Sequence, residues 1–418
     1  MPEPRVAGFR CAVCGATVDI AEFAPWQCPN RTTDDPHHVL HLVADEAPSV
    51  LGAGAGAGAG AVPDPHPFVR YGSRLAWWAF ARANGMSSAD CVALTREVGD
   101  GFVVTPFGRS GALSDEIGVS VWVKDETGQV AGSQKGRHLL SIILHLRAAE
   151  ELGLLAERPP LAIASCGNAA MAAATLAARV GWPIDVYVPT WMDPAFGVRL
   201  DELGARTHTC ERRDGDPPGD PAILRFREAV RDGAIPFSVQ GPENSLCLDG
   251  GRTLGWELHD QAVAAGVRLD RVCVQVGGGA FAASVGAGVG SSVRLDTVQA
   301  EGCAPLAAAW RRVESLAEPA VHWDSVMRPW PHPHSAADGI LDDETYDWLA
   351  DVEVMRSSGG QPIVATESEI VQAHASATAA GYHVSVTGSA GLAGLLHIRN
   401  DIGADDHVAV IMSGLARS

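Results

Sequence analysis

Short apolar segments alternate with helical segments along most of the chain. Six of them predict β-strands: VSVWVKDE, PLAIAS, IDVYVP, RVCVQV, TVQAEG and HVAVIMSG. The run RVCVQV is continuously apolar, which is typical of a strand buried on both faces of a parallel sheet. Two helices that end at a glycine are predicted between strands, NAAMAAATLAARVG and PAFGVRLDELGA. Strands that alternate with helices predict an α/β fold with parallel-rich sheets.

A lysine stands at the start of another predicted helix. The segment GSQKGRH places Lys135 directly before the apolar stretch LLSIILHLRAAEELG. A lysine is unfavourable at this end, because the helix dipole places partial positive charge there. Burial of the position also favours the neutral amine, which is the form that nucleophilic chemistry needs. The alternative is an exposed lysine in a loop.

Two short turns follow predicted strands and end in small residues. In ASCGNAA, backbone N–H groups at a helix start suit an anion, and Gly167 allows close approach. An ordinary turn with Asn168 as the helix N-cap explains the same residues. In IMSGLARS, Ser413 comes at the carboxyl end of the last strand, where open α/β sheets bind ligands.

A third turn, VQVGGGAFAAS, carries three consecutive glycines after a strand. The amides of Gly277, Gly278 and Gly279 suit a nest around a phosphate group. The same residues also satisfy G-x-G-x-x-A, a dinucleotide fingerprint that ends at Ala282. Both interpretations predict a phosphate at this turn.

In this order, the lysine segment and the three turns resemble the fold-type II pyridoxal-phosphate enzymes of the tryptophan synthase beta superfamily, within them the threonine synthase-like branch. The resemblance covers residues 66–418 and implies two domains and a homodimer. It implies that Lys135 forms a Schiff base with pyridoxal 5'-phosphate, that Asn168 bonds the cofactor's phenolic oxygen, and that Ser413 faces the pyridine nitrogen. It also implies that the backbone of one turn binds the substrate carboxylate and that the backbone of another turn binds the cofactor's phosphate. The carboxylate turn consists of Ser165, Cys166, Gly167, Asn168 and Ala169, and the phosphate turn consists of Gly277, Gly278, Gly279 and Ala280.

The resemblance implies a lyase acting on a small amino acid. Such an enzyme removes the α-proton and then eliminates or replaces a group on the β- or γ-carbon, as a threonine synthase or a serine/threonine dehydratase does. Cys166 suits a second proton-transfer group, since a thiol ionises more readily at a helix N-terminus; the alternative is a small residue that fits a tight turn. Ser413 is too weak an acid to keep the pyridine nitrogen protonated, which favours elimination over transamination.

Two other functions stay open at this point. An NAD-dependent Rossmann dehydrogenase would use GGGAFA as its fingerprint, but it explains neither Lys135 nor the SCGN turn. A non-catalytic zinc-ribbon protein with a retired enzyme domain would bind a partner instead. The presence of Lys135 and Asn168 argues against it.

The N-terminal segment holds candidate metal ligands. Cys11 and Cys14 form a C-x₂-C knuckle, and Cys28 follows in WQCPN. The segment DDPHHVLH offers three histidines, of which His38 is preferred as the fourth ligand over His37. Three Cys and one His form an accepted structural zinc set. The alternative is three reduced thiols without a metal.

The motifs and the Gly/Ala run divide the chain. The prediction is a zinc-ribbon-like segment at 1–48, a linker at 49–61, a large domain formed by 62–158 and 240–418, and a small domain at 159–239.

Charge and cysteine content limit the partners and the compartment. The net charge of −19 disfavours nucleic acid and an anionic membrane surface, which both attract clustered Lys and Arg. Nine cysteines of scattered spacing, with no basic and apolar leader at the N-terminus, predict a reducing cytoplasm.

Overall fold

The computed structural model of the chain describes residues 6–44, 63–217, 219–313, 316 and 318–417. The predicted linker at 49–61 therefore lies outside the described residues. None of the helices in the described ranges is long and apolar enough to cross a membrane.

The strands are short and are numbered in chain order. They are β1 Val6–Cys11, β2 Thr17–Asp19, β3 Leu40–Ala44, β4 Phe107–Arg109, β5 Ser120–Asp125, β6 Leu161–Ala164, β7 Ile184–Pro189, β8 Arg206–Cys210, β9 Ile235–Pro236, β10 Arg271–Gln275, β11 Arg294–Ala300, β12 Pro362–Ala365 and β13 His407–Met412.

The α-helices lie between and around these strands. They are α1 Pro67–Arg70, α2 Ala76–Ala83, α3 Ser88–Val98, α4 Gly111–Ile117, α5 Lys135–Glu151, α6 Asn168–Val180, α7 Pro194–Glu202, α8 Pro221–Arg231, α9 Leu246–Ala264, α10 Ala280–Val289, α11 Pro305–Val313, α12 Trp323–Val326, α13 Trp348–Ser358, α14 Glu367–Ala379 and α15 Val386–Ile398.

Within the described residues the strands form three sheets. The N-terminal sheet, in the order β2-β1-β3, is antiparallel. The four-stranded sheet, β8-β7-β6-β9, is parallel. The six-stranded sheet, β12-β11-β10-β13-β5-β4, is parallel except for its edge strand β4. The predicted α/β class is confirmed, with its two larger sheets parallel or mostly parallel.

The chain forms two compact units. The first holds the N-terminal and four-stranded sheets and takes in the described parts of 1–48, 52–102 and 135–250. The second holds the six-stranded sheet and takes in 103–134 and the described parts of 251–418. Helix α5 thus belongs with the four-stranded sheet, whereas the domain limits drawn from the motifs assign it to the large domain. Those limits stay a prediction.

In the second unit, parallel pairing brings two turns to one edge of the sheet. Strands β10 and β13 are neighbours, with Cys273 opposite Val410. Both strands run in the same direction, so the turn after Gln275 and the turn after Met412 leave from the same edge. Ligands of open α/β sheets bind at such carboxyl edges.

In the first unit, the N-terminal segment packs on α5 through His145. The His145 Nε2–H donates to the Phe23 carbonyl oxygen at 2.7 Å, and the imidazole stacks on Phe80 with a centroid distance of 3.9 Å. The Trp26 ring meets the same imidazole edge-on at 5.4 Å. Burial lowers the pKa of His145 from 6.5 to about 4, so the ring is neutral near pH 7.

A second anchor of the N-terminal segment is a buried carboxylate. Glu243 is 1% exposed and accepts from Arg31 at 3.0 Å and from Arg227 at 2.7 Å. Burial opposes its ionisation, but the two guanidinium groups hold the pKa of Glu243 below its ordinary value. Ser245 adds a main-chain bond, its N–H donating to the Trp26 carbonyl at 3.0 Å. The segment between Cys14 and Cys28 is therefore part of the first unit's core packing.

We expect His145→Phe to make the protein less sensitive to acid than the wild type. Below about pH 6.5 the unfolded chain binds a proton at His145 that the folded chain excludes, so folding free energy is lost as the pH falls towards 4, by up to about 1.4 kcal/mol per pH unit. Phenylalanine keeps the ring packing and removes the titration, at a cost of about 1 kcal/mol for the lost hydrogen bond. The measurement is Tm between about pH 7 and pH 5.

The control is His322→Phe, because His322 is exposed. It should show the wild-type loss of Tm in acid. An equal loss in His145→Phe would mean that the folded protein does not hold this imidazole neutral.

Candidate active site and candidate metal centre

The chain contains two lysines, Lys124 and Lys135. The ammonium group of Lys124 is fully buried in the second unit and donates to the Thr105 carbonyl, Glu257 Oε2 and Gln261 Oε1 at 2.8, 2.6 and 2.8 Å. Three acceptors match the three protons of an ammonium group. The Lys124 ammonium group is therefore held in a structural ion pair with Glu257.

Lys135 is the first residue of α5, as the sequence predicts, and it is half-buried rather than buried. The next turn is fully packed, with Arg137 0% and His138 1% exposed. The His138 Nδ1–H donates to the Cys247 carbonyl at 2.8 Å. Burial, together with the positive charge of Lys135, lowers the pKa of His138 to about 3, so this imidazole adds no charge beside the amine.

The loop before Lys135 is held by the segment that follows β13. The Gln134 N–H donates to the Ser413 carbonyl at 3.0 Å, and the Leu415 N–H donates to the Gly132 carbonyl at 2.8 Å. Ala131 has φ 58°, a left-handed conformation that costs a residue with a Cβ about 1 kcal/mol. Strain of this kind persists where surrounding bonds impose it.

The turn between β6 and α6 leaves a helix N-terminus without a side-chain cap. Gly167 is the N-cap and Asn168 is already the first helical residue, so the alternative in which Asn168 caps an ordinary turn is wrong. Within the described chain, the N–H groups of Ala169 and Ala170 have no acceptor. A Cβ at Gly167 would meet no atom within 4 Å, so the glycine leaves open space before the helix. Ser165, Cys166 and Asn168 are half-buried around it.

The glycine turn after β10 packs closely on one side. Gly279 has φ 101°, and a Cβ there would lie 2.5 Å from Asp351 Oδ2. A Cβ at Gly277 would clash with Asp342 Oδ2, and one at Gly278 would lie 3.2 Å from the Tyr346 ring. A side chain at Gly277 or Gly279 would therefore need its neighbours to move.

The amides of this turn are unpaired on its other side. Within the described residues, the N–H groups of Gly278, Gly279 and Ala280 have no acceptor, and α10 has no side-chain cap. Unpaired amides at the start of a ten-residue helix suit a phosphate dianion.

Two buried acids behind the glycine turn were missed by the sequence analysis. Asp347 and Asp351 are 2% and 0% exposed, one helical turn apart at the start of α13. Burial and the nearby Asp347 raise the pKa of Asp351 well above its ordinary value. Asp351 is therefore a neutral acid that does not repel an anion at the turn. Nothing in TYDWLADVE signalled this, because acids spaced by four residues are typical of an exposed helix face.

Ser413 stands where β13 ends, 8% exposed. Its N–H donates to the Gly388 carbonyl at 3.0 Å, and its Oγ accepts from Gln275 Nε2 at 2.8 Å. Gln275 was also missed, although one polar residue in the apolar run RVCVQV was a visible signal.

The four predicted metal ligands converge in the first unit. The ligand atoms of Cys11, Cys14, Cys28 and His38 all lie within 4.8 Å of one another. Cys11 Sγ is 3.4 Å from His38 Nδ1, and the sulfurs of Cys14 and Cys28 are 3.5 Å apart. Tetrahedral sites of this composition have ligand atoms at such spacings.

The surroundings orient these ligands. His38 Nε2 lies 3.1 Å from Asp35 Oδ2, which assigns the proton to Nε2 and leaves Nδ1 as the ligand atom. The backbone N–H groups of Val13 and Asn30 donate to Cys11 Sγ and Cys28 Sγ, each at 3.4 Å. These bonds fix the orientation of the two sulfurs.

The features of the two units, each taken by itself, are those of an enzyme that binds a phosphorylated carbonyl cofactor: a half-buried lysine at a helix start, an uncapped helix N-terminus and a turn of unpaired amides. The pyridoxal-phosphate dependent enzyme family matches residues 98–414. The chain belongs to this family, and the resemblance to fold-type II members is confirmed.

Several characterised proteins are similar to the chain. Threonine synthase from Methanosarcina acetivorans is 26% identical over 324 residues, 74% of each chain. A mouse protein named serine dehydratase-like is 32% identical over 189 residues, 44% of this chain; the match spans about half, 52%, of that relative.

Solved structures show the same fold. Maize serine racemase superimposes with a TM-score of 0.62 at 17% identity, over 79% of this chain and 93% of its own. A bacterial threonine deaminase, from T.th., also gives 0.62, at 22% identity, over 79% and 99%. The family favours the pyridoxal-phosphate interpretation of the glycine turn over the nicotinamide one.

We expect Asp351→Asn to stabilise the protein increasingly as the pH rises. The unfolded chain releases the Asp351 proton above about pH 3.8, while the folded chain retains it. Wild-type stability therefore falls with rising pH by up to about 1.4 kcal/mol per unit from this group, and asparagine removes that slope. Tm measured from about pH 5 to pH 8 should show a widening difference.

Asp401→Asn is the matched control, because Asp401 is exposed in the same unit. It should follow the wild type at every pH. A constant Tm difference between Asp351→Asn and the wild type would contradict a neutral Asp351.

Proposed function

We propose that the protein is a pyridoxal-phosphate-dependent lyase that acts on a small amino acid by α-proton abstraction and β- or γ-elimination or replacement. The observation that carries this is the chemistry of the two lysines. The Lys124 ammonium group donates to three acceptors in the second unit, while Lys135 is half-buried at a helix start, in the segment that resembles the family's lysine segment. A lysine amine is what a carbonyl cofactor requires.

The residues present fit pyridoxal phosphate. Lys135 would hold the cofactor carbonyl covalently, and the amides of Gly277, Gly278, Gly279 and Ala280 would bind its phosphate. Asn168 would bond the phenolic oxygen, and the Ser413 hydroxyl would face the pyridine nitrogen. When bound, the cofactor supplies an electron sink for the charge left on a substrate α-carbon that has lost its proton.

The substrate carboxylate is assigned to the turn from Ser165 to Ala169. The uncapped start of α6 offers N–H groups and the positive end of a thirteen-residue helix. The Lys135 Nζ would take the α-proton, because a lysine amine that carries no proton can act as a base. Cys166, within the same turn, would hold a second proton, with a spacer role as the alternative.

The direction of the reaction follows from Ser413. A serine hydroxyl that donates to the pyridine nitrogen would leave that nitrogen unprotonated, and an unprotonated ring would favour loss of a β- or γ-substituent over transamination. Relatives named threonine synthase and serine dehydratase-like, and the fold shared with a threonine deaminase, support this chemistry. A homodimer stays an expectation from the resemblance.

The N-terminal cluster is proposed to bind one structural Zn²⁺ through Cys11, Cys14, Cys28 and His38. Four protein ligands complete a tetrahedral shell, so no position is left for a substrate or catalytic water. The metal would close both ends of the segment between Cys14 and Cys28, which packs on His145.

We expect borohydride reduction of the cofactor-loaded enzyme to attach the cofactor to the peptide that contains Lys135 and not to the one that contains Lys124. Lys135→Ala should lose the reducible bond, the visible absorption of the bound cofactor and nearly all turnover. Peptide mass spectrometry and absorption spectra measure this.

The control is the double variant Lys124→Met with Glu257→Met, which removes both buried charges; such replacements are often tolerated. It should keep the adduct on Lys135. A reducible cofactor bond in Lys135→Ala would refute the assignment.

We expect native protein to contain about one zinc per chain. His38→Ala should lower the zinc content and the stability of the N-terminal segment, because it removes one of four ligands, whereas His37→Ala should not. Cys11→Ser with Cys14→Ser should remove the metal and leave cofactor binding intact, and Cys91→Ser, at a buried thiol of α3, is the matched control. Metal analysis that finds no zinc in native protein would rule out the site.

A further inference from the structure

Gln275 connects the strand before the glycine turn to Ser413. It is the last residue of β10 and 2% exposed. Its Nε2 donates to Ser413 Oγ and to the Gly388 carbonyl, both at 2.8 Å, with the Thr387 carbonyl at 3.2 Å. All of these residues belong to the second unit.

These bonds determine which way the side-chain amide faces. A main-chain carbonyl only accepts, so the amide nitrogen, and not its oxygen, must face Gly388 and Thr387. The nitrogen carries two hydrogens, of which one serves the carbonyls and the other serves Ser413.

The orientation of the amide decides the role of the Ser413 hydroxyl. Its oxygen accepts the hydrogen bond from Gln275 with one of its two lone pairs, which favours donation of its single proton to another group. A donor can bond a pyridine nitrogen only when that nitrogen carries a lone pair and no proton.

We infer that Gln275 is a positioning residue that makes Ser413 a hydrogen-bond donor and so keeps the cofactor's ring nitrogen unprotonated. This inference rests on the proposed function, in which Ser413 faces that nitrogen. It explains why a polar side chain interrupts the apolar strand β10. The preference for elimination over transamination then depends on two residues, because without Gln275 the Ser413 hydroxyl can either donate to the ring nitrogen or accept from it.

Substitution of Gln275 by glutamate reverses the polarity. Beside the Gly388 carbonyl, the introduced carboxyl group retains a proton on one oxygen and donates it there, as the native amide does. Its other oxygen accepts the Ser413 proton, so the Ser413 oxygen is left to accept from a protonated ring nitrogen. Methionine at position 275 makes neither the bond to the Gly388 carbonyl nor the bond to Ser413. The Ser413 hydroxyl can then either donate to the ring nitrogen or accept from it.

The test uses full-length wild type, Gln275→Glu and Gln275→Met, each loaded with pyridoxal phosphate that carries ¹⁵N in the ring. The ¹⁵N chemical shift, followed with pH, reports the protonation state of the nitrogen directly. We expect an unprotonated ring in the wild type. In Gln275→Glu the apparent pKa of the ring nitrogen should rise by at least about one unit, a tenfold gain in the protonated fraction. Gln275→Met should show a smaller gain in the same direction.

A control variant separates this effect from the cost of a buried acid. Gln299 is 1% exposed on the neighbouring strand β11, and its Oε1 accepts from the Leu306 N–H at 2.9 Å. Gln299→Glu should leave the ring nitrogen as in the wild type. A purely structural role for Gln275 would lower stability without moving the ¹⁵N signal.

The outcomes separate this inference from the proposed function. A wild type that forms no adduct with Lys135 would refute the function. A loaded wild type with a protonated ring, or the same ring state in wild type, Gln275→Glu and Gln275→Met, would overturn only the inference. If Gln275→Glu does not bind pyridoxal phosphate, the ¹⁵N shift of Gln275→Met compared with that of the wild type decides the inference.

Discussion

The parallel pairing of β10 with β13 is the constraint on which the second unit depends. Because the two strands run in the same direction, Gln275 and Ser413 leave the sheet at one edge although 138 residues separate them. Helix α15 lies close against β10, since a Cβ at Gly391 would sit 2.8 Å from the Cys273 carbonyl. This close approach brings the Gly388 carbonyl within reach of the Gln275 side chain and of the Ser413 main-chain N–H. The same edge carries the glycine turn.

Burial changes the chemistry of the charged residues in the second unit. Lys124 donates to Glu257 and to two neutral acceptors, whereas burial and the nearby Asp347 raise the pKa of Asp351 and so favour its protonated form. Both outcomes follow from the cost of an unpaired charge away from water. As a result, Lys124 is unavailable for chemistry, and a neutral acid stands behind the unpaired amides of the glycine turn.

The first unit couples its N-terminal segment to the helix that starts at Lys135. The segment between Cys14 and Cys28 packs rings on His145, in the middle of α5, and the residues just after it pair Arg31 with the buried Glu243. A segment this short has little core of its own, and small domains of this kind depend on a metal or on packing against a larger partner. The four converging ligand atoms and the packing on α5 therefore hold the same N-terminal segment in place.

The sequence by itself determined what depends on neighbours along the chain. Alternating apolar strands and helices predicted the α/β class, the apolar stretch after Lys135 predicted a helix start there, and the spacing of Cys11 and Cys14 predicted a knuckle. Strand β4 and the antiparallel pairing of the N-terminal sheet were not predicted, because short strands carry little pattern.

Only the tertiary structure decided which distant groups meet. It brought His38 to the thiols from among three histidines, made Gly167 and not Asn168 the cap of α6, and buried Asp351 behind Gly279. It also turned the Gln275 amide towards Ser413. The direction of a hydrogen bond and the charge of a buried acid depend on partners supplied by other elements, and local sequence patterns do not specify those partners.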